Sequence, residues 1–124
     1  NGVSELIVEL SADHDLYVLS NNSKATIESV MNKYGILDKI SVLPRPTLFG
    51  KSRAIAKLVK TNNYFINDVI MVGDEVRDIE AAKKVRVKSV GVGWGLQDPG
   101  LLVDAGAVAV CKDVKELAKV LKAK

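Results

Sequence analysis

Val69-Ile70-Met71-Val72-Gly73-Asp74-Glu75-Val76-Arg77-Asp78-Ile79 is the stretch on which the fold turns. Its first four residues form an apolar run with no polar alternation, which reads as a strand covered on both faces. Strands of that kind belong to parallel sheets, because the crossover helices lie over both sides. Gly73-Asp74 makes a turn, and Ile79, Ala81 and Ala82 continue as a helix. Three carboxylates, Asp74, Glu75 and Asp78, fall within five positions, and Asp74 and Asp78 stand one helical turn apart. That spacing can aim two carboxylates at one ion. Magnesium suits such a pair, since it takes hard oxygen ligands and fills the rest of its octahedron with water and substrate phosphate. The plainer use is that Asp74 caps the helix while Glu75 and Asp78 complement the positive end of its dipole. One acid would serve that purpose. Three of them below a buried strand leave their mutual repulsion to be explained, which favours a metal role.

Outward from this stretch, strands and helices alternate in both directions. Downstream come a strand near Ser89 to Val92, a glycine-rich turn, a short helix capped by Asp98 and begun by Pro99, and a strand over Ala107 to Val110. The closing helix opens on a capping box of Asp113 and Glu116. Upstream, a helix capped by Ser52 turns Ile55, Leu58 and Val59 inward, and Ile40 to Leu43 is a small strand closed by Pro44 and Pro46. Before it, Ile27, Val30, Met31 and Tyr34 give a helical stripe that Gly35 stops, and Leu16 to Leu19 is a strand ending in Ser20, Asn21, Asn22 and Ser23. Val3, Leu6, Ile7 and Leu10 make an opening amphipathic helix. The pattern is that of an α/β fold with a mainly parallel sheet. Ligands in such sheets bind where strands end, so the turns after Leu19, Val72 and Val92 are where chemistry is expected.

Lys51 precedes the Ser52 helix, at the end of the dipole where positive charge is unfavourable. An anion bound beside it would gain from both the lysine and the helix N-terminus, which makes a phosphate site. The alternative is a flexible stem reaching water. Gly50-Lys51-Ser52 is not the end of a P-loop, because the glycine required five residues before Gly50 is Arg45. Ser20 and Asn21 follow a strand directly, where a hydroxyl and backbone N–H groups can hold a phosphoryl oxygen or simply cap a helix. Gly91, Gly93 and Gly95 depart from the dinucleotide fingerprint and read as a close-packed loop, with Trp94 at its rim or in the core. His14, between Asp13 and Asp15 before a strand, reads as solvated.

With 124 residues, the chain suits one domain with a single core. Its 48% hydrophobic and 27% charged residues exclude a disordered chain. No apolar run approaches a membrane span, and no signal peptide is recognisable. The single cysteine, Cys111, fits a reducing compartment, so a cytoplasmic location is expected. The net charge of +3 sits largely in Lys83, Lys84, Arg86 and Lys88 and on the solvated face Lys115, Lys119 and Lys122. Only 5% of residues are aromatic and none lies within these runs, which argues against a nucleic-acid surface. The first residue is Asn1 rather than methionine, as in a processed or truncated chain.

Taken in order and spacing, a strand ending in Ser20-Asn21, a lysine at Lys51 before a helix, and Val72-Gly73-Asp74-Glu75-x-x-Asp78 resemble the second, third and fourth motifs of the haloacid dehalogenase (HAD) superfamily. Lys88 to Gly95, with Trp-Gly after a strand, looks most like the phosphoglycolate-phosphatase-like branch. The resemblance implies a HAD-like, Rossmannoid three-layer sandwich. It also implies a Mg²⁺-dependent phosphatase that hydrolyses a small phosphate ester through an aspartyl-phosphate, covalent catalysis dividing one hard step into two. Carried over, Ser20 and Asn21 would hold the phosphoryl group, Lys51 would neutralise charge on it, and Asp74 and Asp78 would bind the metal. Ser20 and Lys51 would thus take part in catalysis, with Lys51 facing the two aspartates.

One part of the family pattern is missing. The first motif, Asp-x-Asp-Gly-Thr after an apolar strand, is absent, since Asp13-His14-Asp15 precedes its strand and has no Gly-Thr. In the family a cap usually follows that motif, and the core resumes near a segment resembling Asn1-Gly2-Val3. The expectation is a HAD-like core over residues 1–124 without its central first strand, nucleophile or cap, inactive by itself. In the family that strand lies between the ones bearing Ser20 and Asp74, so either self-association or an N-terminal segment is expected to complete the sheet. The competing reading is a non-catalytic HAD-like module that binds phosphate or a partner.

Overall fold

The computed structural model describes residues 2–47, 50–93 and 99–122. Asn1, Trp94, Gly95 and Asp98, on which some of the readings above fall, lie outside them. The chain forms two compact units, Asn1–Leu48 and Phe49–Lys124.

In the first unit, α1 (Val3–Leu10) buries Leu6 and Leu10, one turn apart, as its spacing predicts. β1 (Tyr17–Val18) and β2 (Ser41–Val42) pair in parallel, with Tyr17 opposite Ser41 and Val18 opposite Val42. The ladder runs one bond beyond each end, from Ser41 N–H to the Leu16 carbonyl at 2.9 Å and from Leu43 N–H to the Val18 carbonyl at 3.0 Å. Between them, α2 (Lys24–Lys33) starts at Ser23, whose hydroxyl oxygen accepts from the Thr26 N–H at 3.2 Å. Gly35, at φ +70°, turns the chain out of the helix while Ile36 N–H reaches back to the Met31 carbonyl at 3.0 Å. The stripe Ile27, Val30, Met31 and Tyr34 is helical, yet none of α2 is buried, and Val30 and Tyr34 are 41% and 60% exposed. Periodicity selects a face of a helix; only a packing partner covers it.

In the second unit, α3 (Lys51–Thr61) is followed by a 3-10 turn at Ile66–Asp68 and then by β3 (Ile70–Gly73) and α4 (Val76–Lys84). β4 (Lys88–Val92), α5 (Pro99–Ala105), β5 (Ala109–Cys111) and α6 (Val114–Lys122) complete it. The three strands are parallel in the order β3-β4-β5, with Gly73 opposite Gly91 and Val92 opposite Cys111. α4 packs over β3 and β4, and α5 over β4 and β5. Ile79, Val90, Leu102 and Cys111 are sealed between them.

β4, hydrogen-bonded on both edges, is the covered strand, buried from Ser89 to Val92. β3 corrects the expectation of a fully buried strand: Val72 is 39% exposed and Ile70 and Met71 are only half-buried. Among the described residues β3 has β4 as its one neighbour, so an unbroken apolar run here lies at a sheet edge. Two boundaries also move. Lys51 is the first residue of α3 and Gly50 precedes it as the N-cap, so Ser52 lies inside the helix and does not cap it. The last strand covers Ala109–Cys111 rather than Ala107 to Val110. At α6, Glu116 N–H donates to Asp113 Oδ1 at 2.8 Å, and Glu116 Oε1 accepts from the Lys112 N–H at 2.8 Å, one residue earlier than a regular box. Among the described residues no helix is long and apolar enough to cross a membrane.

Candidate active site

The second unit gathers charged side chains where β3 ends and α4 begins. Gly73 closes the strand, Asp74 follows, and Glu75 is the N-cap of α4 in extended conformation, with no side-chain capping bond. The capping role open to Asp74 from sequence is therefore not its role. Asp78, in the first turn of α4, is 5% exposed, and a carboxylate that far from water needs a partner. It has one. Lys51 Nζ donates to Asp78 Oδ1 at 2.5 Å, with the two side chains 15% and 8% exposed.

The packing of α3 against α4 makes this meeting possible. It also resolves the position of Lys51, a cation at the N-terminus of a helix, because a protein carboxylate is the anion beside it. Asp78 keeps its second oxygen, Oδ2, for other work. Ligand oxygens of Asp74, Glu75 and Asp78 all lie within 4.8 Å of one another. A set of carboxylate oxygens alone, converging on one place, fits a hard divalent cation such as magnesium. Glu75 was visible as the third acid of the run but was not counted as a site residue from sequence. Its other contact is a loose, exposed one, 3.7 Å from Arg77, which leaves it free to turn inward.

Ser20 and Asn21 belong to the first unit. Ser20 stands just past β1, and its Oγ accepts from the Asn22 N–H at 3.1 Å. Ser23 does the capping of α2, so Ser20 is not consumed by that task. Asn21 is exposed. His14 is more engaged than the expected solvated ring: its Nδ1 lies 2.7 Å from Asp13 Oδ1 and 3.1 Å from the Leu10 carbonyl. Asp13 is thereby tied to its own neighbour. Burial, and then the charges of Glu116 and Asp113, push the Cys111 thiol up from its ordinary value, which makes it a poor nucleophile.

The family of haloacid dehalogenase-like hydrolases matches residues 1–92. A phosphoglycolate phosphatase of Synechococcus elongatus is 38% identical over 106 residues, covering 84% of this chain and 50% of that protein. The chain thus spans about half the length of the curated relative it matches. Among solved structures, a predicted phosphatase from Clostridium acetobutylicum superposes with a TM-score of 0.86 at 23% identity, over 100% of this chain and 60% of the other. A predicted phosphoglycolate phosphatase from Haemophilus somnus gives a TM-score of 0.84 at 19% identity, over 96% and 55%. The HAD-hydrolase YfnB of Bacillus subtilis, solved bound to magnesium, gives 0.79 at 12% identity, over 98% and 54%.

Proposed function

The chain belongs to the haloacid dehalogenase-like hydrolase family, and from that premise we propose that it is the larger part of the core of a Mg²⁺-dependent phosphatase acting on a small, phosphoglycolate-like phosphate ester. The observation that carries the reading is the buried Lys51–Asp78 pair beside Asp74 and Glu75 at the end of β3. A fixed cation next to a nest of carboxylates suits phosphoryl transfer, in which positioning and electrostatics do most of the work. Asp74 and Asp78 would hold the magnesium, which when bound offsets negative charge on the phosphoryl oxygens. Lys51, oriented by Asp78, would neutralise the transferring group. Ser20 and Asn21 would contribute a hydroxyl and backbone N–H groups to phosphoryl oxygens.

The nucleophile of this reaction is an aspartate that these 124 residues do not include: no Asp-x-Asp-Gly-Thr is present, and Asp13 is bound to His14 ahead of β1. We therefore expect the chain to be inactive alone and to work with a further segment or a second chain. Such a partner strand would pair with a strand edge, and β3, whose one neighbour among the described residues is β4, supports one there. The solitary cysteine supports a reducing, cytoplasmic setting.

The test compares this chain with the full coding product for Mg²⁺-dependent hydrolysis of an aryl phosphate, with Asp74→Asn in the longer form. Activity in the longer product alone, abolished by Asp74→Asn, is expected. An inactive longer product, or full activity in Asp74→Asn, overturns the enzymatic reading or the metal assignment respectively. The missing nucleophile also favours a second reading, a non-catalytic phosphate-binding module, for which the same longer product would bind inorganic phosphate without turnover.

A further inference from the structure

Gly73 is the last residue of β3, and its backbone is not in the left-handed region, so conformational freedom does not explain a glycine there. Space does. A Cβ built on Gly73 would stand 2.5 Å from the Asp78 Cβ, 2.8 Å from its Oδ2 and 3.0 Å from its Cγ. These atoms cannot give way cheaply, because Cβ is fixed to the backbone of α4 and the carboxylate is held from its other side by Lys51. Gly91, its neighbour across the sheet, is small for a different reason: a Cβ there would meet Leu102 and Val110. The missing side chain at Gly91 thus admits apolar packing, whereas the one at Gly73 admits a charged group.

We infer that Gly73 is a positioning residue for the site, its bare Cα leaving the space in which Asp78 lies back over the end of β3 to engage Lys51. The role rests on the phosphatase reading only for its purpose; the geometry stands without it. Any side chain at position 73 pushes the first turn of α4 away from the strand. The Asp78 carboxylate then leaves Lys51, whose ammonium must find water instead.

Two measurements on the 124-residue chain test this, and neither uses magnesium or turnover. The first is the ¹⁵N spectrum of the lysine ammonium groups, in which a shielded, ion-paired Lys51 gives a slowly exchanging signal. Gly73→Ala is expected to abolish that signal while amide resonances of α5 and β5 stay in place. The second compares the effect of Gly73→Ala on the folding equilibrium with and without Asp78→Gly, which removes the atoms in the way. The penalty is expected to shrink about tenfold or more in the equilibrium constant when Asp78 has no Cβ. Should Gly73→Ala alone fail to fold, the combined variant is expected to fold. An unchanged Lys51 signal, an equal penalty in both backgrounds, or a combined variant no better folded than Gly73→Ala overturns the proposal. An inactive full-length enzyme with both expected results would count against the phosphatase reading alone.

Discussion

Lys51 and Asp78, 27 residues apart in sequence, meet through a 2.5 Å contact between Nζ and Oδ1 in a space largely closed to water. Attraction in such a place is strong, but so is the cost of removing both charges from water, and the net worth of the pair is smaller than either. Breaking it is another matter, because the survivor is left buried and unpaired. Lys51→Met is therefore expected to destabilise the chain by about 3 kcal/mol, read from urea unfolding. Lys51→Met combined with Asp78→Leu should cost clearly less than the two single changes added together. Strict additivity would show that the contact contributes nothing.

The two serines flanking Asn21 and Asn22 have different duties. Ser23→Ala removes the N-cap of α2 and should lower stability by about 1 kcal/mol. Ser20→Ala removes one turn bond to the Asn22 N–H and should cost about half of that or less. Thermal unfolding of both variants decides the ranking; a larger loss at Ser20 would make it a structural residue rather than a phosphate-binding one.

Arg86 ends α4 in the left-handed region, at φ +65°, where Val87 N–H closes the helix on the Ala82 carbonyl at 2.9 Å. A Cβ is unfavourable in that conformation, so Arg86→Gly is expected to stabilise by about 0.5–1 kcal/mol. Gly35, at φ +70° with nothing within 4 Å of a built Cβ, supplies the converse. Gly35→Ala should destabilise by about 1 kcal/mol from backbone conformation alone, since no clash contributes. Paired denaturation curves measure both.

Cys111 is buried, and its thiol is pushed above the ordinary value of about 9 by burial and by Glu116 and Asp113. The folded state therefore favours the protonated thiol. Its contribution to stability is complete below the unfolded thiol's pKa and is lost as pH rises through the folded one. The stability difference between the natural chain and Cys111→Ala should accordingly narrow above about pH 9, by urea unfolding from pH 7 to 10.5. Alkylation of the native chain at pH 8 should be slow and should accelerate on unfolding.

Much of the site was legible because its residues are close in sequence. The order of apolar run, Gly73, Asp74, Glu75 and Asp78 describes a strand, a turn and a first helical turn, all governed by local geometry. Lys51 was recognisable as an oddity, a cation at a helix start, although the cap of that helix lies at Gly50, two residues before the expected Ser52; of the two aspartates it was expected to face, Asp78 is the one it pairs with. The reason for Gly73 was not legible, since a glycine after a strand ordinarily signals a turn, and only the path of α4 shows what a Cβ would strike.

Local patterns by themselves determined the α/β alternation, the capping box at Asp113, a capping cluster over Ser20 to Ser23 within which the structure selects Ser23, and the acidic run, because backbone preference and side-chain periodicity act over a few residues. Tertiary structure alone decided which apolar surfaces are covered. Val69 to Val72 read as buried, yet Val72 is well exposed, as are Val30 and Tyr34 on the apolar stripe of α2, while the glycine-bearing β4 is sealed from Ser89 to Val92. Burial depends on what lies against a face, and neighbours distant in sequence leave no mark on the local pattern. The Lys51–Asp78 pair was settled in the same way, by the packing of α3 on α4.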